Sequence, residues 1–445
     1  MKEIIGTQKK AARRPALRAA SAAVAAIFCG LAASAAQAQA QLEVPDQDWT
    51  PNAEADVIKL TGRVGVTHDS NVLRLNNQSQ GGIYANKKAG DTYLNGGMGI
   101  EFDRLISQQR LRANAEVEGF KYKEYNDFDH VGYNAGATLD WVVGRPLFGS
   151  AGVKLVRTQP TVQDRVYQQA TNVNGDRNNI TSQNVFFNAG FRFTPAWSVI
   201  GGVDFMRSRN SLEVYKDTDY DTKSAEGGMR WAPGTGLEVD LVYRATKGDY
   251  KSARRYADDG SALLCGVNNC TKNDYDENSL LTRVQYRPSE DSRLAGYIGY
   301  TRREYDQGNR DFKGLTTGFD MEWALSGNVQ MRASLGRSIE PDDDAVSTTS
   351  PETWSLALNP TVQATGKITL EPFARFYNRR YKGEQLTAGE ATRKDKIFSV
   401  GVEADYEFRR NMFLMANLQH DKRDSNRDNL DYKANVFGLG LKVQF

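Results

Sequence analysis

The sequence predicts an all-β fold, a transmembrane antiparallel up-and-down β-barrel of about 18 strands. Three observations predict it. From Ile58 onward, segments of about 10 to 15 residues alternate apolar and polar side chains. The connections between these segments alternate short and long. The final segment, Asn435 to Phe445, has one wholly apolar face and ends on an aromatic residue.

At the N-terminus, Lys2, Lys9, Lys10, Arg13, Arg14 and Arg18 precede an apolar run from Ala19 to Ala36. Ala36-Gln37-Ala38 and Ala38-Gln39-Ala40 follow. A basic region, a short apolar region and small-x-small sites make a secretory signal peptide over residues 1–40. Residues 41–57 then form a short periplasmic segment, too small for a core of its own, and residues 58–445 form the barrel. Six of the 57 Lys/Arg and one of the 55 Asp/Glu lie in residues 1–40, which leaves 51 basic and 54 acidic residues, a net of −3. That balance argues against a nucleic-acid partner, which would demand a basic excess. No later stretch approaches 18 consecutive apolar residues, so the membrane would have to be crossed by strands, half of whose side chains stay polar.

Parity carries the barrel reading from strand to strand. Leu111, Ala113, Ala115 and Val117 alternate with Arg110, Arg112, Asn114, Glu116 and Glu118. Leu237, Val239, Leu241 and Tyr243 alternate with Glu238, Asp240 and Arg244. Phe398, Val400, Val402, Ala404, Tyr406 and Phe408 alternate with Ser399, Gly401, Glu403, Asp405 and Glu407. Successive side chains on a strand point to opposite faces. Turning the charged face to lipid would cost about 2–4 kcal/mol per basic residue at the midplane, so the apolar face is the outer one. The last strand repeats the rule, with Phe437, Leu439, Leu441, Val443 and Phe445 opposite Gly438, Gly440, Lys442 and Gln444. An edge strand of a soluble sandwich can share this pattern, and its recurrence along the chain favours the barrel. The strand looks like the closing strand of a bacterial outer-membrane barrel, whose terminal aromatic is read by the barrel assembly machinery.

Short turns are expected at Asp103 to Ser107, Gly144-Arg145-Pro146, Thr194-Pro195-Ala196 and Pro233 to Gly236, with longer polar loops between them. Four of the six tryptophans, Trp141, Trp197, Trp231 and Trp323, lie near short turns and predict an interfacial girdle. Tyr122, Tyr125, Tyr250, Tyr305 and Tyr381 would form a second belt at the other end.

Catalytic chemistry has little support. The chain has three histidines, His68, His130 and His420. His68, Asp69 and Ser70 are neighbours on an extended strand and would diverge rather than form a triad. His130 beside Asp129 leaves an outer-rim hydrolase as the weakest alternative. Cys265 and Cys270 lie five residues apart in a long loop and predict a small disulfide formed in an oxidising compartment. No residue set calls for a metal or other cofactor; Asp342-Asp343-Asp344 reads as a solvated acidic loop.

The inner face holds the informative chemistry. Lys59, Arg63, Arg110, Arg112, Lys154, Arg192, Arg283, Arg332 and Arg375 share it with Glu116, Glu118, Asp140, Asp204, Asp240, Glu322, Glu403 and Asp405. These are candidate pore-lining residues, because barrels of 16 to 18 strands can leave an aqueous channel. The same charges could instead pair with one another and stiffen the wall.

Thr67 to Leu75 reads Thr-His-Asp-Ser-Asn-Val-Leu-Arg-Leu. Asp69, Ser70, Asn71 and Arg74 in this stretch resemble the opening D-S-N-x-x-R element of the β-barrel porin 2 family, EpsL-type proteins among them, which occurs beside exopolysaccharide biosynthesis genes. The resemblance implies an outer-membrane conduit for an exopolysaccharide cargo, bordered by membrane lipid and lipopolysaccharide and joined to a periplasmic polysaccharide export component. A general solute porin is the alternative.

Overall fold

The computed structural model describes residues 57–76, 88–159, 178–251, 255–256, 262–263, 274–289, 291–306, 311–339, 350–382, 392–427 and 430–445. The signal-peptide reading, Cys265, Cys270 and Asp342 to Asp344 lie outside them.

Eighteen strands form one antiparallel sheet. They are β1 Val57–Asp69, β2 Asp91–Ile106, β3 Gln109–Tyr122, β4 His130–Val143, β5 Leu147–Thr158, β6 Ile180–Arg192, β7 Trp197–Asn210, β8 Tyr220–Trp231 and β9 Leu237–Tyr250. The second half continues with β10 Tyr275–Ser289, β11 Ser292–Tyr305, β12 Phe312–Ser326, β13 Val329–Ile339, β14 Ser350–Gln363, β15 Ile368–Lys382, β16 Lys394–Arg409, β17 Met412–Ser425 and β18 Tyr432–Gln444. Each strand pairs with its sequence neighbours, and β18 returns to β1 from Thr61↔Gln444 to Asp69↔Val436. The sheet is therefore closed. Closure removes the unpaired edge that lipid could not solvate.

Ile58, Leu60, Val64 and Val66 of β1 are exposed, as are Val185 and Phe187 of β6, Leu241 and Tyr243 of β9, and Leu439 and Leu441 of β18. The exposed apolar side chains hold one parity on each strand, so the barrel carries its apolar surface outside. This is the inverse of a water-soluble core, and it is the arrangement of an outer-membrane barrel. Trp197, Trp231, Trp323, Phe193, Phe408 and Phe445 sit on the same outer surface near the short turns. Trp141 stacks on Phe187 at 6.0 Å between ring centroids. The expected girdle is present at that end.

The short turns use residues suited to their backbone. Asn411, between β16 and β17, adopts φ 63°, which asparagine tolerates better than most residues. Gly236 adopts φ 72°, and a Cβ there would lie 2.6 Å from the Arg287 carbonyl oxygen.

Two expectations need correction. The first short turn is smaller than Asp103 to Ser107, because β2 runs to Ile106 and Asp103 pairs with Arg112 on β3. The outer tyrosine belt is absent at the proposed positions. Tyr122, Tyr125, Tyr250, Tyr305 and Tyr381 are all buried, Tyr125 with 0% exposure. Tyr122 joins Leu73, Tyr93, Tyr125 and Phe128 in one cluster, while Tyr250 and Tyr305 join Met206, Tyr220 and Tyr275 in another. Parity explains this: Tyr250 shares the face of Asp240, opposite the exposed Leu241 and Tyr243.

Candidate functional site

The charged residues read from the sequence fall on the face opposite the apolar belt, where cross-strand neighbours are about 4.5–5.5 Å apart at Cβ. Most of them meet an opposite charge. The Arg63 guanidinium from β1 bonds Glu118 at 2.9 Å and lies 2.5 Å from Glu116, both on β3. Asn95 from the intervening β2 donates to Glu118 at 2.8 Å. Lys59 is 3.7 Å from Glu101. Arg110 forms a two-pronged pair with Asp103 at 2.9 and 2.6 Å, and Arg112 reaches Asp140 at 2.7 Å.

Across β7 to β10 the pattern continues. Asp204 accepts from Asn184 at 2.5 Å and lies 3.8 Å from Arg244. Asp240 receives both prongs of Arg230 at 2.7 and 2.8 Å, and Arg283 grips Glu226 at 2.8 and 2.7 Å. Two-pronged guanidinium–carboxylate pairs fix both partners in orientation. Further round, Arg332 is 3.7 Å from Glu322, and Lys442 bonds Asp405 at 2.5 Å.

Two further cations lie over aromatic rings and a third is exposed. Arg375 lies over Phe373 at 4.5 Å, Arg192 lies over Phe148 at 5.4 Å, and Lys154 is an exposed side chain on β5. Glu403 sits directly across from Glu371 in the register, so this part of the wall is locally acidic. Glu226, Arg230 and Lys442 complete the ion pairs of Arg283, Asp240 and Asp405. Their signal was parity, since Lys442 alternates with the apolar residues of β18 and Glu226 and Arg230 share parity on β8.

The Asp69-Ser70-Asn71 and Arg74 element has a separate role. It closes the outer end of the seam between the first and last strands. Asp69 accepts the Asn71 amide at 2.9 Å and the Arg74 guanidinium at 2.6 Å. Arg74 also bonds the Asn71 carbonyl at 2.5 Å, lies 3.4 Å from Asp421 of β17, and sits 5.8 Å from the Tyr432 ring centroid. Asn71 donates to the carbonyls of Leu75 and Lys433, both at 2.9 Å. Ser70 exchanges bonds with Asn435: its amide reaches the Asn435 carbonyl at 2.9 Å, and its hydroxyl accepts the Asn435 amide at 2.8 Å.

The backbone at Arg74 has φ 53°, which folds this loop back over β18. Leu73, 1% exposed, anchors the loop in the tyrosine cluster. Burial alone would lower the Arg74 pKa, but Asp69 and Asp421 outweigh it and raise the value above the ordinary arginine range. The guanidinium is thus a fixed positive charge. Sequence reading placed the motif, whereas its role depends on residues about 350 positions later.

The histidines are engaged separately. His68 Nδ1 lies 2.9 Å from the Thr92 hydroxyl, on the face opposite Asp69. His130 bonds the Phe128 carbonyl at 2.8 Å and stacks on Phe120 at 4.5 Å. His420 Nδ1 lies 2.7 Å from the Asn435 side-chain oxygen.

A search of curated proteins finds no match. Among solved structures, the chain is similar to OpdL of Pseudomonas aeruginosa, at 12% identity and TM-score 0.43, with 88% of this chain and 100% of that chain covered. It is similar to OccAB4 of Acinetobacter baumannii, at 8% identity and TM-score 0.43, with the same coverages of 88% and 100%. It is also similar to a mutant ferric enterobactin receptor of Pseudomonas aeruginosa in complex with enterobactin, at 9% identity and TM-score 0.41, covering 89% of this chain and 82% of that one. By sequence, residues 294–445, from β11 to the chain's last residue, match the family described as "Putative beta-barrel porin 2".

Proposed function

We propose that the barrel is an outer-membrane conduit through which a hydroxyl-rich exopolysaccharide leaves the periplasm. The observation that carries this reading is an inner wall dense in polar groups whose charges are largely neutralised in pairs. A strong single-sign field would hold an oppositely charged solute. A neutralised wall offers many replaceable hydrogen bonds, each worth about 0.5–1.5 kcal/mol net. A long hydroxylated chain can slide along such a surface without a deep trap. The likeness of Asp69, Ser70, Asn71 and Arg74 to an element of exopolysaccharide-associated porins supports the choice of cargo.

In this reading a signal peptide over residues 1–40 exports the chain, the assembly machinery recognises the strand ending at Phe445, and a periplasmic export component delivers the polymer. The same wall would also pass small polar solutes, and the match of residues 294–445 to a porin family favours that second reading.

Two measurements test the proposal. Deleting the gene should leave polymer in the periplasm, while single inner-wall substitutions change secretion modestly. Normal secretion in the deletion strain, together with lost permeability to small solutes, would overturn export and leave the porin reading. Channels reconstituted in planar bilayers should discriminate weakly between potassium and chloride, and strong selectivity for either ion would contradict a neutralised wall.

A further inference from the structure

The outer surface above the apolar belt carries a second feature, on strands β15 to β18. Exposed Phe376, Phe398, Val400, Leu418 and Phe437 define the lipid-facing parity of these strands. Continuing that parity toward the long-loop end gives Arg380 on β15, Lys394 and Lys396 on β16, Lys422 on β17 and Lys433 on β18. The register joins them into one patch: Arg380↔Lys394, Phe398↔Lys422 and Lys422↔Lys433. Its width is three inter-strand spacings, about 14 Å.

Few acids face this patch among the described residues. Asp424 stands across from Lys396 in the register but pairs with Lys422 at 2.8 Å, Glu352 stands across from Arg380 but lies 3.6 Å from Arg337, and Asp431 accepts the Ser425 amide at 2.5 Å. Arg380, Lys394, Lys396 and Lys433 have no ion-pair partner among the described residues. Elsewhere on the outer rim, cations are commonly matched: Arg207 and Arg209 meet Asp221, Lys223 meets Asp249, and Arg302 meets Glu304.

A patch of cations directly above lipid-facing phenylalanines fits an amphiphile with an anionic head. A soluble anion would gain nothing from the apolar surface below, and an uncharged lipid would gain nothing from the cations. We propose that this patch is a binding site for a phosphorylated glycolipid of the outer leaflet, its sugar phosphates on Lys394, Lys396, Lys422 and Lys433 and its acyl chains along Phe398, Leu418 and Phe437. The site is independent of the cargo in the lumen and rests only on residence in the outer membrane.

The test uses the full mature barrel in neutral detergent and native mass spectrometry with diphosphoryl lipid A as the probe. Replacing Lys394, Lys396, Lys422 and Lys433 with glutamine should weaken retention of the lipid by at least about tenfold, since each basic side chain contributes to headgroup attraction. Dephosphorylated lipid A should bind the unaltered protein about as weakly as diphosphoryl lipid A binds the variant. A control carrying K223Q, K247Q, R302Q and K313Q removes as many outward cations from other strands and should retain the lipid. If the fourfold variant does not fold, K394Q/K396Q alone should still give a several-fold loss.

Equal retention by the variant and the unaltered protein, or equal loss in the control, overturns the proposal. Displacement by inorganic phosphate at concentrations matching the lipid overturns the lipid assignment in favour of a soluble-anion site.

Discussion

Replacing Arg74 with leucine is expected to destabilise the outer end of the barrel seam by about 3–5 kcal/mol, the usual consequence of removing one member of a buried ion pair. Asp69 and Asp421 would be left without the guanidinium that both face. The Asn71 carbonyl would also lose a donor. Heating in dodecyl sulfate until the folded band disappears on a gel gives the readout, with a marked fall in transition temperature expected. Arg74→Gly separates charge from backbone, because glycine adopts φ 53° without steric cost. If Arg74→Gly proves as stable as the unaltered protein, the ion pairs contribute nothing and the assigned role fails. Arg74→Lys should be intermediate, since it keeps the charge and loses the fork.

Arg230→Leu should destabilise by a similar amount, about 3–5 kcal/mol, because it strands Asp240 on the inner wall. The double replacement Arg230→Leu/Asp240→Leu should recover most of that loss. Apolar residues in place of a buried pair are often neutral, whereas a lone buried charge is not. Recovery should be incomplete, because Glu238 also lies 3.1 Å from Arg230 and loses its counter-charge. Denaturant unfolding from lipid vesicles measures all three variants. A double variant no better than the single would show that Arg230 acts through packing and not through charge.

Parity made the barrel legible. Leu241 and Asp240 are adjacent in sequence and end on opposite surfaces because a strand allows nothing else. The tryptophan girdle was legible for the same reason: Trp197 and Trp231 share the parity of their strands' apolar residues. The tyrosines were less legible because aromatic residues at strand ends suit either an interfacial belt or a cluster beneath loops, and only the parity of each residue decides between the two. Tyr122 shares the parity of Glu116 and Glu118, which already turned it inward.

Ion pairing lay further from view. The sequence supplied Arg63 and Glu118 as members of one face, but their contact spans β2 and depends on rotamer and register. The seam element was visible as a pattern, but its partners, Asp421, Lys433 and Asn435, carry no local mark of that role.

The seam element also bears on the order of assembly. Its two halves come from residues 69–75 and 421–435, so no partial barrel can contain both. Contacts so distant along the chain must wait for the loop between them to close. Intermediate strands can pair with their neighbours as they arrive, each hairpin being local. The bonds of Arg74 to Asp421 and of Asn71 to the Lys433 carbonyl report completion: they form only after β18 has met β1. An arrested intermediate would expose Asp69, Asn71 and Arg74 to water, and protection of the Ser70 and Asn435 amides, which bond across the seam, from hydrogen exchange would date the moment of closure.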